Sequence, residues 1–279
     1  MEIVVNAKIN LSLEVVGLRE DAYHNLQSII QTISLADQMF IEKTGNIEVD
    51  GNGHAFMAEK SLVLRAAYLF KERTGYEGGA CIFVDKNIPF GSGMGSDSAG
   101  AAAVLKYLNV LWGMRWPLEE LALLAGELGS DVPFFIWGGT ALLSGRGDNI
   151  LVLPKIPRTY FCAVFPKYTT QDKTYKAYKA IDSIGFDNGA HTETFRLKLE
   201  TSQAITANDY YNSFDRVASI LYPEHEKYSC MMRIAGASKV MLAGSGSALI
   251  CPCDSENEAL KICLSLLAQG INAVTFYTT

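Results

Sequence analysis

Ile88-Pro89-Phe90-Gly91-Ser92-Gly93-Met94-Gly95-Ser96-Asp97-Ser98-Ala99-Gly100-Ala101-Ala102-Ala103 decides how the rest of the chain is read. An apolar, strand-like segment, Cys81 to Val84, leads into it, and an alanine-rich helical segment, Ala99 to Trp112, leads out. Glycine lets backbone approach a ligand closely and adopts φ > 0 without cost from a Cβ. The helix start beyond it offers unpaired N–H groups and a positive dipole end to an anion. Such a loop holds phosphate without a cationic side chain. No Gly-Lys-Ser/Thr follows, so it is not a P-loop, and its spacing is not that of the dinucleotide fingerprint. From these residues alone, an ordinary tight strand-to-helix connection remains open.

Composition narrows the ligand. The chain has 279 residues, 49% hydrophobic and 19% charged, which fits a soluble globular protein of one large or two modest domains. Its net charge of -6 gives no basic footprint for nucleic acid. An anionic ligand must then be held by backbone amides, helix ends and a few placed cations. The start Met-Glu-Ile-Val-Val-Asn shows no signal peptide, and no stretch approaches 18 unbroken apolar residues. Six scattered cysteines, with Cys251-Pro252-Cys253 the one close pair, read as reduced, mostly buried thiols of a cytoplasmic protein.

Strand patterns occupy Ile3 to Val5, Ile9 to Val16, Thr32 to Ile41, Phe134 to Leu143 and Tyr160 to Phe165. Ser61 caps a helix that Gly75 stops, and a second helix runs from Pro117 toward Gly129. Thr174 to Ile184, Ala207 to Leu221 and Glu256 to Gln269 read as helices. Val240 to Ile250 is two strand-like runs around a second Gly/Ser turn. The mixture predicts an α+β fold, with a boundary near Pro154 dividing 1–154 from 155–279.

Three segments carry chemistry. In Ala7-Lys8-Ile9-Asn10-Leu11-Ser12, alternation puts Lys8, Asn10 and Ser12 on one strand face, which is either a site or a solvated edge. In Gly129-Ser130-Asp131-Val132-Pro133-Phe134-Phe135, Asp131 is an acid in an apolar setting, or simply an acceptor for turn amides. In Asp21-Ala22-Tyr23-His24-Asn25-Leu26, Tyr23 can stack on a planar ring and His24 can bond its edge, unless both are structural.

Together with Gln31 to Asp37, Gly138-Gly139-Thr140-Ala141, Gly145-Arg146-Gly147 and Gly244-Ser245-Gly246-Ser247, these motifs resemble the GHMP kinase superfamily. Within it they are similar to the 4-diphosphocytidyl-2-C-methyl-D-erythritol kinase family, from Lys8 to about Leu264. The resemblance implies a two-domain GHMP kinase fold. Its ATP-binding domain (1–154) would be ribosomal-protein-S5-like with a left-handed βαβ element, and its substrate domain (155–279) ferredoxin-like. It implies transfer of the ATP γ-phosphoryl, with Mg2+, to the 2-hydroxyl of a diphosphocytidyl-methylerythritol in non-mevalonate isoprenoid synthesis. Carried over by position, Lys8 and Asp131 would be catalytic, and Pro89, Gly91, Ser92, Gly93, Met94, Gly95, Ser96, Asp97 and Ser98 would bind ATP. Asn10, Tyr23, His24, Thr170 and Tyr175 would bind substrate, with Tyr178 the alternative to Tyr175. A monomer or homodimer is expected, with no nucleic acid or membrane partner.

The match departs at Ser96-Asp97, where the family has glycines, at Gly100, where it has Asp or Asn, and at Ala22, where it has Gly. A carboxylate about 5 Å from a phosphate repels it by roughly 3 kcal/mol at an effective dielectric near 20. Asp97 would therefore turn away and cap the helix after it, bind Mg2+, or mark a weakened catalyst. The competing readings are a GHMP kinase for another alcohol, such as homoserine or mevalonate, and a binding protein on the same scaffold.

Overall fold

In the computed structural model, residues 1–52, 61–167 and 172–279 are described. They form two compact units that alternate along the chain. The first holds Met1–Ala7, Leu35–Phe90 and Gly95–Gly138, the second Lys8–Ser34, Gly91–Met94 and Gly139–Thr279. Two long strands, β1 (Glu2–Leu18) and β2 (His24–Thr44), pass through both. Residues 139–154, Lys8–Ser34 and Gly91–Met94, all expected with the N-terminal half, group with the C-terminal segments.

In the first unit, β4 (Gly79–Asp85) pairs antiparallel with β2 from Gln38 to Thr44 and parallel with β3 (Glu48–Gly51). Helix α1 (Leu62–Thr74) has the expected ends: Ser61 Oγ accepts from the Leu64 amide at 3.1 Å, and Gly75 closes it at φ 66°. Helix α2 (Ser96–Leu111) buries Ala99 through Leu105, which suits a helix with small residues on nearly every side. At Gly100 the helix packs closely on α1; a Cβ there would stand 3.0 Å from Val63 Cγ2. Helices α3 (Leu118–Gly126) and α4 (Val132–Trp137) complete the unit.

The apolar run Phe134 to Leu143 is not one strand. Pro133 sits in the first turn of α4, and Gly138 and Gly139, at φ 69° and 73°, break the chain before β5 (Thr140–Gly145). A short, fully apolar run carries no periodicity to separate helix from strand.

In the second unit, β5 pairs antiparallel with β2 from Leu26 to Gln31, and β6 (Asn149–Val152) pairs with β5. A separate four-stranded sheet has the order β11 (Ala273–Tyr277), β7 (Tyr160–Val164), β10 (Leu249–Cys253), β9 (Met241–Leu242). Its core joins Cys162, Val164, Leu249 and Cys251 to Ala177 and Ile181 of α5 (Lys173–Ile184), Met232 of α8 (His225–Ile234), and Ile262 and Leu266 of α9 (Glu256–Leu267). Helix α6 (Ala190–Glu200) has no capping side chain of its own; Glu14, fully buried on β1, accepts from the amides of Gly189 and Thr192 at 3.1 and 2.7 Å.

The helix expected over Ala207 to Leu221 is replaced by two 3-10 turns, a two-residue strand β8 (Tyr211–Asn212) parallel to β1, and the short α7 (Ala218–Leu221). Buried Asn212 explains the break. It accepts from the Phe214 amide and donates to the Leu242 and Gly244 carbonyls at 2.9 and 2.8 Å, bonds that a helix at this position would forgo. The six cysteines are free thiols, four of them buried, and among the described residues no helix is long and apolar enough to cross a membrane.

Candidate active site

Strand alternation puts Lys8, Asn10 and Ser12 on one face of β1, and that face is inside: they are 5%, 4% and 0% exposed. A solvated edge is therefore excluded. Lys8 Nζ donates to Asn10 Oδ1 at 2.9 Å, and Asn10 Nδ2 donates to Ser28 Oγ at 2.7 Å. Ser28 Oγ in turn donates to the Ser12 carbonyl at 2.6 Å. Burying an ammonium is costly unless it is bonded, so this relay fixes the lysine in one place.

The same strand grips the glycine loop, because the Lys8 amide donates to the Met94 carbonyl at 2.9 Å. The loop also lies against the late Gly/Ser turn: the amides of Ser247 and Ala248 donate to the Gly91 and Ser92 carbonyls at 3.2 Å each. Gly93, at φ 84°, cannot be replaced without displacing backbone, since a Cβ would stand 2.0 Å from the Ala243 carbonyl oxygen. A Cβ on Gly244 would lie 3.5 Å from both Lys8 Nζ and Asn10 Oδ1. Its hydrogen keeps open the space beside the ammonium. Ser92 and Met94 are buried and serve this packing, while Pro89, Gly91, Gly93, Gly95, Ser96 and Ser98 are partly accessible.

A residue with no sequence signal joins these two turns. Lys173, in the first turn of α5, donates its ammonium to the carbonyls of both Gly91 and Gly246. Burial, and then the charge of Lys8, lower its pKa to about 8.

In the first unit, Asp131 sits at the start of α4, and its side chain does not cap that helix. The Asp97 carboxylate, 54% exposed in the first turn of α2, is paired with Lys86 Nζ at 3.2 Å. The same ammonium meets buried Asp37 at 2.9 Å and bonds Ser96 Oγ. Asp37 also accepts from the Asn87 and Ile88 amides at 2.8 and 2.9 Å and from Ser96 Oγ at 2.5 Å, tying the end of β4 to the start of α2. Asp97 does not cap the helix, whose N-cap is Gly95; its carboxylate turns instead to the Lys86 ammonium, a partner that none of the three expectations named.

The third cluster lies in the second unit. The Arg146 guanidinium covers one face of the Tyr23 ring at 3.6 Å, and the ring remains 54% exposed. His24 Nε2 bonds Asp182 Oδ1 at 2.7 Å, and its ring stacks on Tyr178 with centroids 4.7 Å apart. The expected aromatic, Tyr175, is 66% exposed; the one that meets His24 is Tyr178. Thr170 lies outside the described residues. Ala22, at φ 63°, occupies the left-handed region that glycine prefers.

Known proteins are similar to this chain over most of its length. The model of the GHMP kinases N terminal domain matches residues 61–139. A 4-diphosphocytidyl-2-C-methyl-D-erythritol kinase of Dehalococcoides mccartyi is 38% identical over 274 residues, spanning 98% of this chain and 96% of that protein. The kinase of that name from Listeria monocytogenes is 34% identical over 257 residues, 88% of this chain and 84% of that one. A crystal structure of 4-(cytidine 5'-diphospho)-2C-methyl-D-erythritol kinase superposes with a TM-score of 0.85 at 31% identity, covering 100% of this chain and 99% of that one. The chain has the GHMP kinase fold, and it belongs to the 4-diphosphocytidyl-2-C-methyl-D-erythritol kinase family.

Proposed function

We propose that the protein transfers the γ-phosphoryl group of ATP to the 2-hydroxyl of 4-diphosphocytidyl-2-C-methyl-D-erythritol, as the names of its relatives suggest. The observation that carries the reading is the buried Lys8 ammonium, held by Asn10 against two glycine turns. Phosphoryl transfer needs positioning and charge stabilisation more than covalent chemistry, and a fixed ammonium supplies both. Asp131 is the base that accepts the hydroxyl proton, Lys8 offsets charge on the transferring group, and Asn10 orients the substrate. The loop from Pro89 to Ser98 cradles the nucleotide phosphates. Tyr23, His24 and Tyr178 receive the cytosine, with Tyr178 in the place expected of Tyr175.

The donor set near the loop fits a nucleotide that brings its own metal. Asp97 is turned to Lys86, so magnesium would enter with the nucleotide and offset its phosphate charge.

A coupled ADP-release assay comparing the diphosphocytidyl substrate with homoserine and mevalonate tests the reading. Turnover restricted to either of the latter overturns it. Asp131→Asn should lose about 10²–10⁴-fold in kcat with folding intact.

A further inference from the structure

We propose that Lys173 is a second phosphate-binding cation of the site, set beside Lys8 at the seam between the glycine loop and the late Gly/Ser turn. It rests on the kinase reading given above, and it concerns residues of the second unit alone.

Carbonyl oxygens repel phosphate, and three of them in the loop are taken up by protein donors. Gly91 accepts from the Ser247 amide, Ser92 from the Ala248 amide and Met94 from the Lys8 amide. Gly91 also accepts from the Lys173 ammonium, which bonds the Gly246 carbonyl across the seam. Thr174 follows onto the same turn, its Oγ1 3.0 Å from Ser245 Oγ. Helix α5 begins at Lys173, so the positive end of its dipole lies there too.

Charge separates a ligand site from a structural brace. An ammonium has three donors, and the two acceptors of Lys173 among the described residues are both neutral. Among those residues no carboxylate pairs with it, while burial and then Lys8 on β1 lower its pKa to about 8. The two turns carry no titratable side chain, the Tyr222 hydroxyl bonds the Ser245 carbonyl, and Asp172 and Lys176 on either side along the chain are exposed. A lysine whose pKa falls on folding is charged at the expense of the folded state, so this ammonium is not there for stability. Two neighbouring cations without an acid are relieved by an anion, and the loop beside them is shaped for phosphate.

ATP and inorganic tripolyphosphate are titrated calorimetrically into the wild type, Lys173→Met and Lys173→Arg, with thermal melts alongside. At neutral pH Lys173→Met should bind both anions at least about tenfold more weakly. Its melting temperature should stay within about 3 °C of wild type, because an apolar chain of similar length replaces a charge that folding disfavours. A brace without a ligand role would do the reverse: a Lys173→Met that melts lower and binds ATP within about twofold of wild type overturns the proposal. A pH series on the wild type needs no variant to fold. Its affinity for ATP should fall as pH rises through about 8, where Lys173 loses its proton, while Lys173→Arg keeps both charge and affinity. A wild-type affinity that stays flat through that range, or an arginine variant that declines in parallel, refutes the assignment. A wild type that binds tripolyphosphate in this lysine-dependent way but not ATP would sink the kinase reading and leave Lys173 in its role; binding of neither anion ends both.

Discussion

Replacing Lys86 by methionine removes one ammonium from two carboxylates, and their burial separates the consequences. Asp37 is 2% exposed, and after the substitution it keeps the Asn87 and Ile88 amides and Ser96 Oγ as donors. Removing one partner of a buried ion pair costs about 3–5 kcal/mol, and three surviving donors bring this case to about 2–3 kcal/mol of stability. Asp97 is 54% exposed, so its ion pair contributes at most about 1 kcal/mol to folding. At the proposed nucleotide site its loss should appear in ATP binding instead, where an uncompensated carboxylate in the first turn of α2 would face polyphosphate. At about 5 Å the repulsion is roughly 3.3 kcal/mol at an effective dielectric of 20 and roughly 0.8 kcal/mol in water. A half-exposed acid lies between, near 2 kcal/mol, or about thirtyfold in affinity. Calorimetric titration of ATP into the wild type, Lys86→Met, Asp97→Asn and the double variant reads the coupling, with thermal melts alongside. Lys86→Met should bind ATP about thirtyfold more weakly, and the double variant should return to within about threefold of Asp97→Asn. The stability loss should persist in the double variant, because it comes from Asp37. A double variant that binds as poorly as Lys86→Met would mean that Lys86 touches the nucleotide itself, and the neutralisation argument would be wrong.

Ala22→Gly should raise stability. Relief of a left-handed alanine at φ 63° returns about 1–2 kcal/mol, less about 0.5–1 for the freer unfolded chain, a net gain of about 0.5–1 kcal/mol in denaturant melts. An unchanged midpoint would show that the turn carries no strain. Burial pushes the Asp215 carboxyl up to about 7, although it accepts from the Leu242 amide at 2.7 Å. The folded state then holds a proton that the unfolded state releases above pH 4, so Asp215 favours folding less as pH rises from about 4 to 7. Asp215→Asn lacks that decline, and its melting temperature relative to wild type should climb between pH 5 and pH 8. A constant difference would refute the shift.

What the sequence made legible was local. Alternation put Lys8, Asn10 and Ser12 on one face, and Ser61 and Gly75 marked the ends of α1. What it could not reveal depended on where elements end up. The face of α5 is readable from its period, but which tyrosine meets His24 depends on position along the axis, and three residues amount to about 4.5 Å. Tyr178 has it and Tyr175 does not. Lys173 and Lys86 gave no signal, because lysine on a polar surface is ordinary. Their meaning lies in carbonyls and carboxylates from distant segments.

Two of the departures from the family pattern, Asp97 and Ala22, differ in kind. Asp97 brings a charge, and a charge can be offset from outside its own segment; Lys86, at the end of β4, does so at 3.2 Å. Ala22 brings a Cβ into a left-handed turn, and no neighbour can relieve a clash internal to one residue's own backbone. The turn nevertheless closes, with the Arg19 amide donating to the Tyr23 carbonyl at 2.8 Å and Arg19 bonded to Asp21 at 3.1 Å. The strain is thus borne by the turn that presents Tyr23 and His24. Ala22→Gly should accordingly leave ATP binding untouched while it stabilises the fold, whereas Asp97→Asn should alter ATP binding and leave stability within about 1 kcal/mol. If both variants moved both quantities, compensation at one site and strain at the other would not be separate effects, and the reading of the phosphate loop as neutralised by Lys86 would lose its support.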